Sequence, residues 1–237
     1  MLRFMLLIFL LLTPTSSQAG AWLREKGSVF LSFSNTISVN SQTLYKTDSS
    51  LYLEYGLTPR MTVGFDGFLG ATGKSFEAYM FLRFPVGKPD RLNKIALTFA
   101  AGLKRIPNPW GPTVYQPQVK AGISWGRGLK HGWLAADAFV IVPISKKVSE
   151  FSWGFTGHHN THFTADFTWG YKHSDRLMII GQLQTGKPAI GDVYAKFSPS
   201  VVWSTGKSAK SQIELGLVVG LTGDHSQSVK IGFWRSF

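Results

Sequence analysis

The chain has 237 residues, with 25 Lys and Arg against 13 Asp and Glu, no cysteine and a formal charge of +12. Charged residues are only 16% of the chain and aromatic ones 14%, whereas a water-facing surface is usually about a quarter charged. A disulfide scaffold is therefore excluded. No stretch after residue 12 approaches the eighteen consecutive apolar residues of a helical membrane span.

The first residues place Arg3 before an apolar run from Phe4 to Leu12, followed by a polar, small-residue segment. This is the layout of a secretory signal peptide, and the run is too short to cross a bilayer as a helix, which needs about twenty residues. Ser17 and Ala19 occupy the −3 and −1 positions of a cleavage site before Gly20, and a cut after Ala21 also fits. Residues 1–19 are assigned to the signal and 20–237 to a single folded unit.

That unit reads as a succession of strands. The first two are expected near 27–37 and 47–57. Over 60–70, Met61, Val63, Phe65, Gly67 and Leu69 alternate with Arg60, Thr62, Gly64, Asp66 and Phe68, an apolar face against a mostly polar one. Strands at 75–85, 93–104, 115–126 and 130–143 follow. Over 160–172, Phe163, Ala165, Phe167, Trp169 and Tyr171 alternate with a polar set. The remaining strands are expected near 175–186, 192–204, 211–222 and 227–237; Ile213, Leu215, Leu217, Val219 and Leu221 form the apolar face of the penultimate one. Pro117 and Pro199 each remove a ladder donor, so a bulge or a late strand start is expected at each. The fold class is thus all-β: a transmembrane antiparallel up-and-down barrel of about twelve strands. Ten or fourteen stay open because 144–159 could hold more strand. A soluble β-sandwich is the alternative without a membrane.

The links alternate in length. Those at 57–60, 85–93, 126–132, 172–175 and 204–210 are mostly short. On the opposite rim 38–46, 105–114 and 144–159 are longer, and 71–74, 187–191 and 223–226 are shorter. Tyr55, Phe84, Trp125, Trp169, Tyr171, Trp203 and Phe237 fall on the apolar face at the short-turn end of every second strand, as an interfacial aromatic girdle would.

The last strand, SVKIGFWRSF, alternates Val229, Ile231 and Phe233 and ends on Phe237. In this it resembles the Gram-negative outer-membrane β-barrels, whose terminal aromatic is the signal recognised by the barrel assembly machinery. Arg235 departs from that pattern, since an apolar residue is usual there. The resemblance covers the whole mature chain as architecture and about ten residues as motif, and it identifies no subfamily. It implies a bacterial outer-membrane location, short turns in the periplasm, and outer-membrane lipids and lipopolysaccharide as surroundings.

On the inward parity lie Glu54, Asp66, Glu77, Asp137, Asp166 and Glu214 with Arg83, Lys120, Lys196 and Lys230, and nearer the strand ends Arg60, Lys94, Lys104, Lys172 and Arg176. Lipid would penalise such Lys and Arg residues by about 2–4 kcal/mol each at mid-depth, so they line a wet or salt-bridged lumen. Six carboxylates against about nine bases should leave that lumen positive and anion-preferring. The functional expectation is a monomeric passive channel, porin-like, for small polar or anionic solutes. The alternative is a closed structural or binding barrel whose external loops contact envelope components.

Barrel enzymes that cleave lipids resemble one another in a lipid-facing Ser/His pair. The cluster holding His158, His159, Asn160 and His162 has no serine two or four residues away on the outward parity, and no carboxylate or thiol completes a metal set. No catalytic residue, metal or cofactor is expected. The dispersed bases, one or two per turn, do not form a nucleic-acid stripe.

Overall fold

The structure is a computed structural model and describes residues 20–40, 43–73, 75–88, 90–106, 113–146, 153–155, 161–188, 191–206, 210–223 and 226–237. The signal segment 1–19, His158, His159 and Asn160 lie outside them.

Alternation of apolar and polar residues in the sequence becomes thirteen antiparallel strands. They are β1 (Val29–Asn40), β2 (Thr43–Thr58), β3 (Met61–Leu69), β4 (Phe76–Val86), β5 (Asn93–Ile106), β6 (Val114–Leu129), β7 (Gly132–Lys146), β8 (Trp153–Phe155), β9 (His162–Lys172), β10 (Leu177–Lys187), β11 (Tyr194–Thr205), β12 (Ser211–Thr222) and β13 (Gln227–Ser236). Sequence neighbours pair except for β8 and β9, β7 pairs with both β6 and β9, and β13 pairs with β1. Twelve strands therefore close a ring. The three-residue β8 stands outside it against Ile144–Lys146, so the described part of 144–159 adds no stave to the ring.

Followed once around the ring, the pairings return displaced by about fourteen residues. For twelve strands about 4.8 Å apart, rising ~3.3 Å per residue, this shear sets a tilt of roughly 40° and a backbone radius of roughly 12 Å. The sheet has no open edge in the ring, which is the condition for a β structure in lipid.

Burial follows the parity. Leu53, Leu82, Phe167, Leu183, Val201 and Leu215 are exposed on the outside, while Glu54, Thr62, Gln118 and Ser124 are buried inside. A sandwich would reverse this. Outward Tyr115 and Trp125 lie ten residues apart on β6, which at this tilt corresponds to roughly 25 Å of height, the depth of an apolar band.

Three details differ from the sequence expectation. The loop expected at 38–46 shrinks to the link 41–42, because β1 and β2 continue their ladder to Asn40↔Thr43 past a register shift; a polar hairpin beyond the lipid keeps its hydrogen bonds without needing an apolar face. Pro117 neither delays nor bulges its strand: β6 starts at Val114 and Pro117 pairs with Leu103. Pro199 sits in register opposite Gly181, and the irregularity in β11 falls instead between Ala195 and Lys196.

Candidate functional site

The polar parity of eight strands brings the inward charges together in mid-lumen, where all but Asp137 and Asp166 form ion pairs. Glu54 of β2 takes hydrogen bonds from Arg24 Nε, from Arg83 of β4 and, at 2.6 Å, from the Tyr52 hydroxyl. Glu54, Arg83 and Arg24 are only 1%, 4% and 9% exposed. Arg83 also donates to Thr98 Oγ1 at 3.2 Å and Tyr52 Oη at 3.1 Å, so its guanidinium is satisfied on three sides. Lys120 of β6 reaches Asp66 of β3 at 3.4 Å and lies 4.4 Å from the centre of the Phe139 ring. Lys230 of β13 meets Glu214 of β12 at 3.0 Å, and Lys104 meets Glu77 at 2.6 Å nearer the loop rim. Asp137 and Asp166 face one another directly across β7 and β9, with no ion-pair partner among the described residues.

These groups wall a chamber of about 420 Å³, together with Tyr79, Phe81, Trp133 and Trp234. Its lining holds three bases, Arg83, Lys120 and Lys230, against four carboxylates, Asp66, Asp137, Asp166 and Glu214. The expected surplus of base is thus absent from this chamber. Four of the end-of-strand bases, Arg60, Lys94, Lys172 and Arg176, stand at the turn rim, and Lys104 is taken up by Glu77. Lys196 sits near the loop rim, opposite Gln184 and Gly220.

The sequence reading missed what lies inside the turn rim. Residues 20–28 do not hang outside the barrel; they cross it as a chord from β2 and β3 to β6 and β7. At one end Gly27 N–H donates to Gly56 O at 2.8 Å, Gly56 N–H to Ser28 O at 3.0 Å and Arg24 N–H to Thr62 Oγ1 at 3.0 Å. At the other, Ala21 and Trp22 lean on Gly126, and Gly20 reaches Asp137 and Ser124. Gly56 and Gly126 are glycine for this reason: a Cβ would fall 1.9 Å from Glu25 O and 2.4 Å from the Trp22 ring respectively. Beside the chord an apolar cluster of Trp133, Ala135, Met178, Ile180 and Val202 packs with Trp22 and Trp234. Its signal in the sequence was apolar residues on the inward parity of β7, β10, β11 and β13.

The girdle residues lie outside, at the turn rim. Tyr55, Trp169, Tyr171, Trp203 and Phe237 are exposed and Phe84 and Trp125 half-buried; Trp169 and Tyr171 stack at 6.0 Å. Arg235 lies 5.1 Å from the Phe237 ring centre and donates to Ser211 Oγ at 3.0 Å, which keeps its charge at the interface. His162, the described member of the histidine cluster, shares a lumenal recess with Glu77 and Lys104 instead of facing lipid. Among the described residues no group of three or more acidic, histidine or cysteine side chains could hold a metal ion.

No protein-family model matches this chain, and no curated protein is similar to it in sequence. Among solved structures it is similar to the KdgM porin, with a TM-score of 0.54 and 8% identity over 87% of this chain and 99% of that one. The COG4313 outer membrane channel from Pseudomonas putida F1 gives 0.55 and 10%, over 94% and 100%. The fold is that of outer-membrane barrels. Outer membrane phospholipase A from Escherichia coli, at 0.50 and 9% over 91% and 95%, shares it as well, so the architecture is common to channels and to an enzyme.

Proposed function

We propose that this protein is a monomeric outer-membrane channel passing small polar solutes passively, with its turn rim in the periplasm and its loop rim at the cell surface. The observation that carries this is the chamber: a roughly 12 Å barrel whose mid-lumen is walled by side chains paired along the wall and left with about 420 Å³ of space. A barrel built only to be solid would fill that layer with side chains, as it does in the Trp133 cluster. The similarity of the barrel to porins and a channel supports the reading. His162, the described member of the histidine cluster, faces the lumen and not the lipid, which favours the channel over a lipid-cleaving role. Surrounding lipids, including lipopolysaccharide phosphates at the loop rim, and the assembly machinery acting on Phe237 complete the expected partners.

The chord and its tryptophan cluster favour a second reading, a barrel closed at the turn end. Planar-bilayer recording of the purified protein separates the two. Stepwise conductance supports the channel; a silent bilayer, with the protein shown to be inserted, supports the closed barrel.

A further inference from the structure

The chamber is short of one positive charge, and the shortage falls at one place. Asp137 and Asp166 are paired across the ladder with each other and with no base. Two like charges held this close are unfavourable unless a cation or a proton joins them. Arg83 is the nearest guanidinium, but it is committed to Glu54, Tyr52 and Thr98. Beside Asp137, Ser124 is fully buried; its hydroxyl can donate to the Asp137 carboxylate but has no donor to accept from among the described residues. A buried acceptor left unmet is costly.

What touches both is Gly20. A Cβ built there would fall 2.5 Å from Asp137 Oδ1 and 2.8 Å from Ser124 Oγ. The Gly20 nitrogen is within roughly 2.5 Å of that Cβ position by covalent geometry, hence within about 5 Å of the carboxylate. In an uncut chain this nitrogen is a neutral amide. Cleavage after Ala19 would turn it into an ammonium.

We propose that the α-ammonium of Gly20, created by signal-peptide removal, is the counter-ion of the Asp137–Asp166 pair and a hydrogen-bond donor to Ser124. The inference rests on the reading of the chain as exported and cut after Ala19. The cleavage that frees the barrel thereby supplies its last lumenal cation, brings the chamber lining to charge balance and pins the far end of the chord. Glycine at the cut lets the nitrogen come this close, because a Cβ there would push the Asp137 carboxylate and the Ser124 hydroxyl aside.

The test is acetylation of the folded barrel in detergent at neutral pH, read by mass spectrometry on the tryptic peptide 20–24, with exposed Lys26 as internal reference. Gly20 should be acetylated at least tenfold more slowly than in the denatured protein while Lys26 changes little, and Asp137→Asn should remove most of that protection. Gly20→Ala, which keeps every charged side chain, should also free the amine and stands in if the first variant fails to assemble. Equal labelling of folded and denatured protein, protection indifferent to both substitutions, or a mature chain beginning at another residue would each overturn the proposal. None of these readouts depends on conduction, so a silent bilayer and a reactive N-terminus are separate failures.

Discussion

Replacing Glu54 by glutamine removes one negative charge from between two guanidiniums while keeping the side-chain volume. In the native barrel Arg24 and Arg83 both bond this carboxylate, and the three groups are between 1% and 9% exposed. Deleting one partner of a buried ion pair leaves the other charge desolvated and uncompensated, at about 3–5 kcal/mol. Here two charges are left, though Tyr52 and Thr98 still accept from Arg83, so the lower end, about 3 kcal/mol, is expected. That is on the order of a hundredfold in the folding equilibrium. Glu77→Gln is the control: its pair with Lys104 is roughly 30% exposed, and such pairs contribute about 0–1 kcal/mol. Equilibrium urea unfolding in lipid vesicles, followed by tryptophan fluorescence and by the heat-dependent gel shift, measures both. Arg24 would also lose its hold on the wall, so Trp22 should become more accessible to a soluble quencher. If Glu54→Gln unfolds within about 1 kcal/mol of the parent, as Glu77→Gln should, water and not the guanidiniums solvates this carboxylate.

Other expectations follow from the same geometry. Deleting residues 20–26 should raise single-channel conductance, because they cross the turn rim as a chord; unchanged conductance would place the narrowest section elsewhere. Lys120→Glu should move the reversal potential in a salt gradient toward cations, since Lys120 lines the chamber; no movement would remove it from the conduction path. Cysteine at exposed Thr113 should react with an impermeant thiol reagent on whole cells and cysteine at exposed Asp175 should not; the opposite pattern inverts the topology. Phe237→Ala should lower the yield of heat-modifiable barrel with export intact, and normal assembly would make the terminal aromatic incidental.

Most strands were readable because each crosses lipid, and lipid enforces a strict choice of one residue in two. Where that pressure ends the pattern goes quiet: residues 40–43 are a polar run, so 38–46 looked like a loop although the ladder continues to Asn40↔Thr43. Parity also assigned the inward charges to the lumen, but it could not say which base meets which acid. Lys120 joins Asp66 across 54 residues of chain, a pairing set by shear and tilt that no local pattern carries. The chord was hidden for a different reason. Residues 20–26 have no period, and the only trace of them was the absence of side chains opposite, at Gly56 and Gly126.

The ring is built almost wholly from pairings close in sequence, β7 reaching β9 past the short β8, and the one distant pairing is the β1–β13 seam. There Ser38 meets Ser228 across 190 residues, and Val29 and Phe237 exchange backbone hydrogen bonds at the rim. Local pairings form early and such distant ones last, because the entropy of closing the chain must be met first. The chord is different in kind: it precedes β1 and leans on β2, β3 and β6 at the turn rim, so its contacts join staves that share no hydrogen-bond ladder. It therefore braces opposite walls of the cylinder, a role the ladders cannot fill.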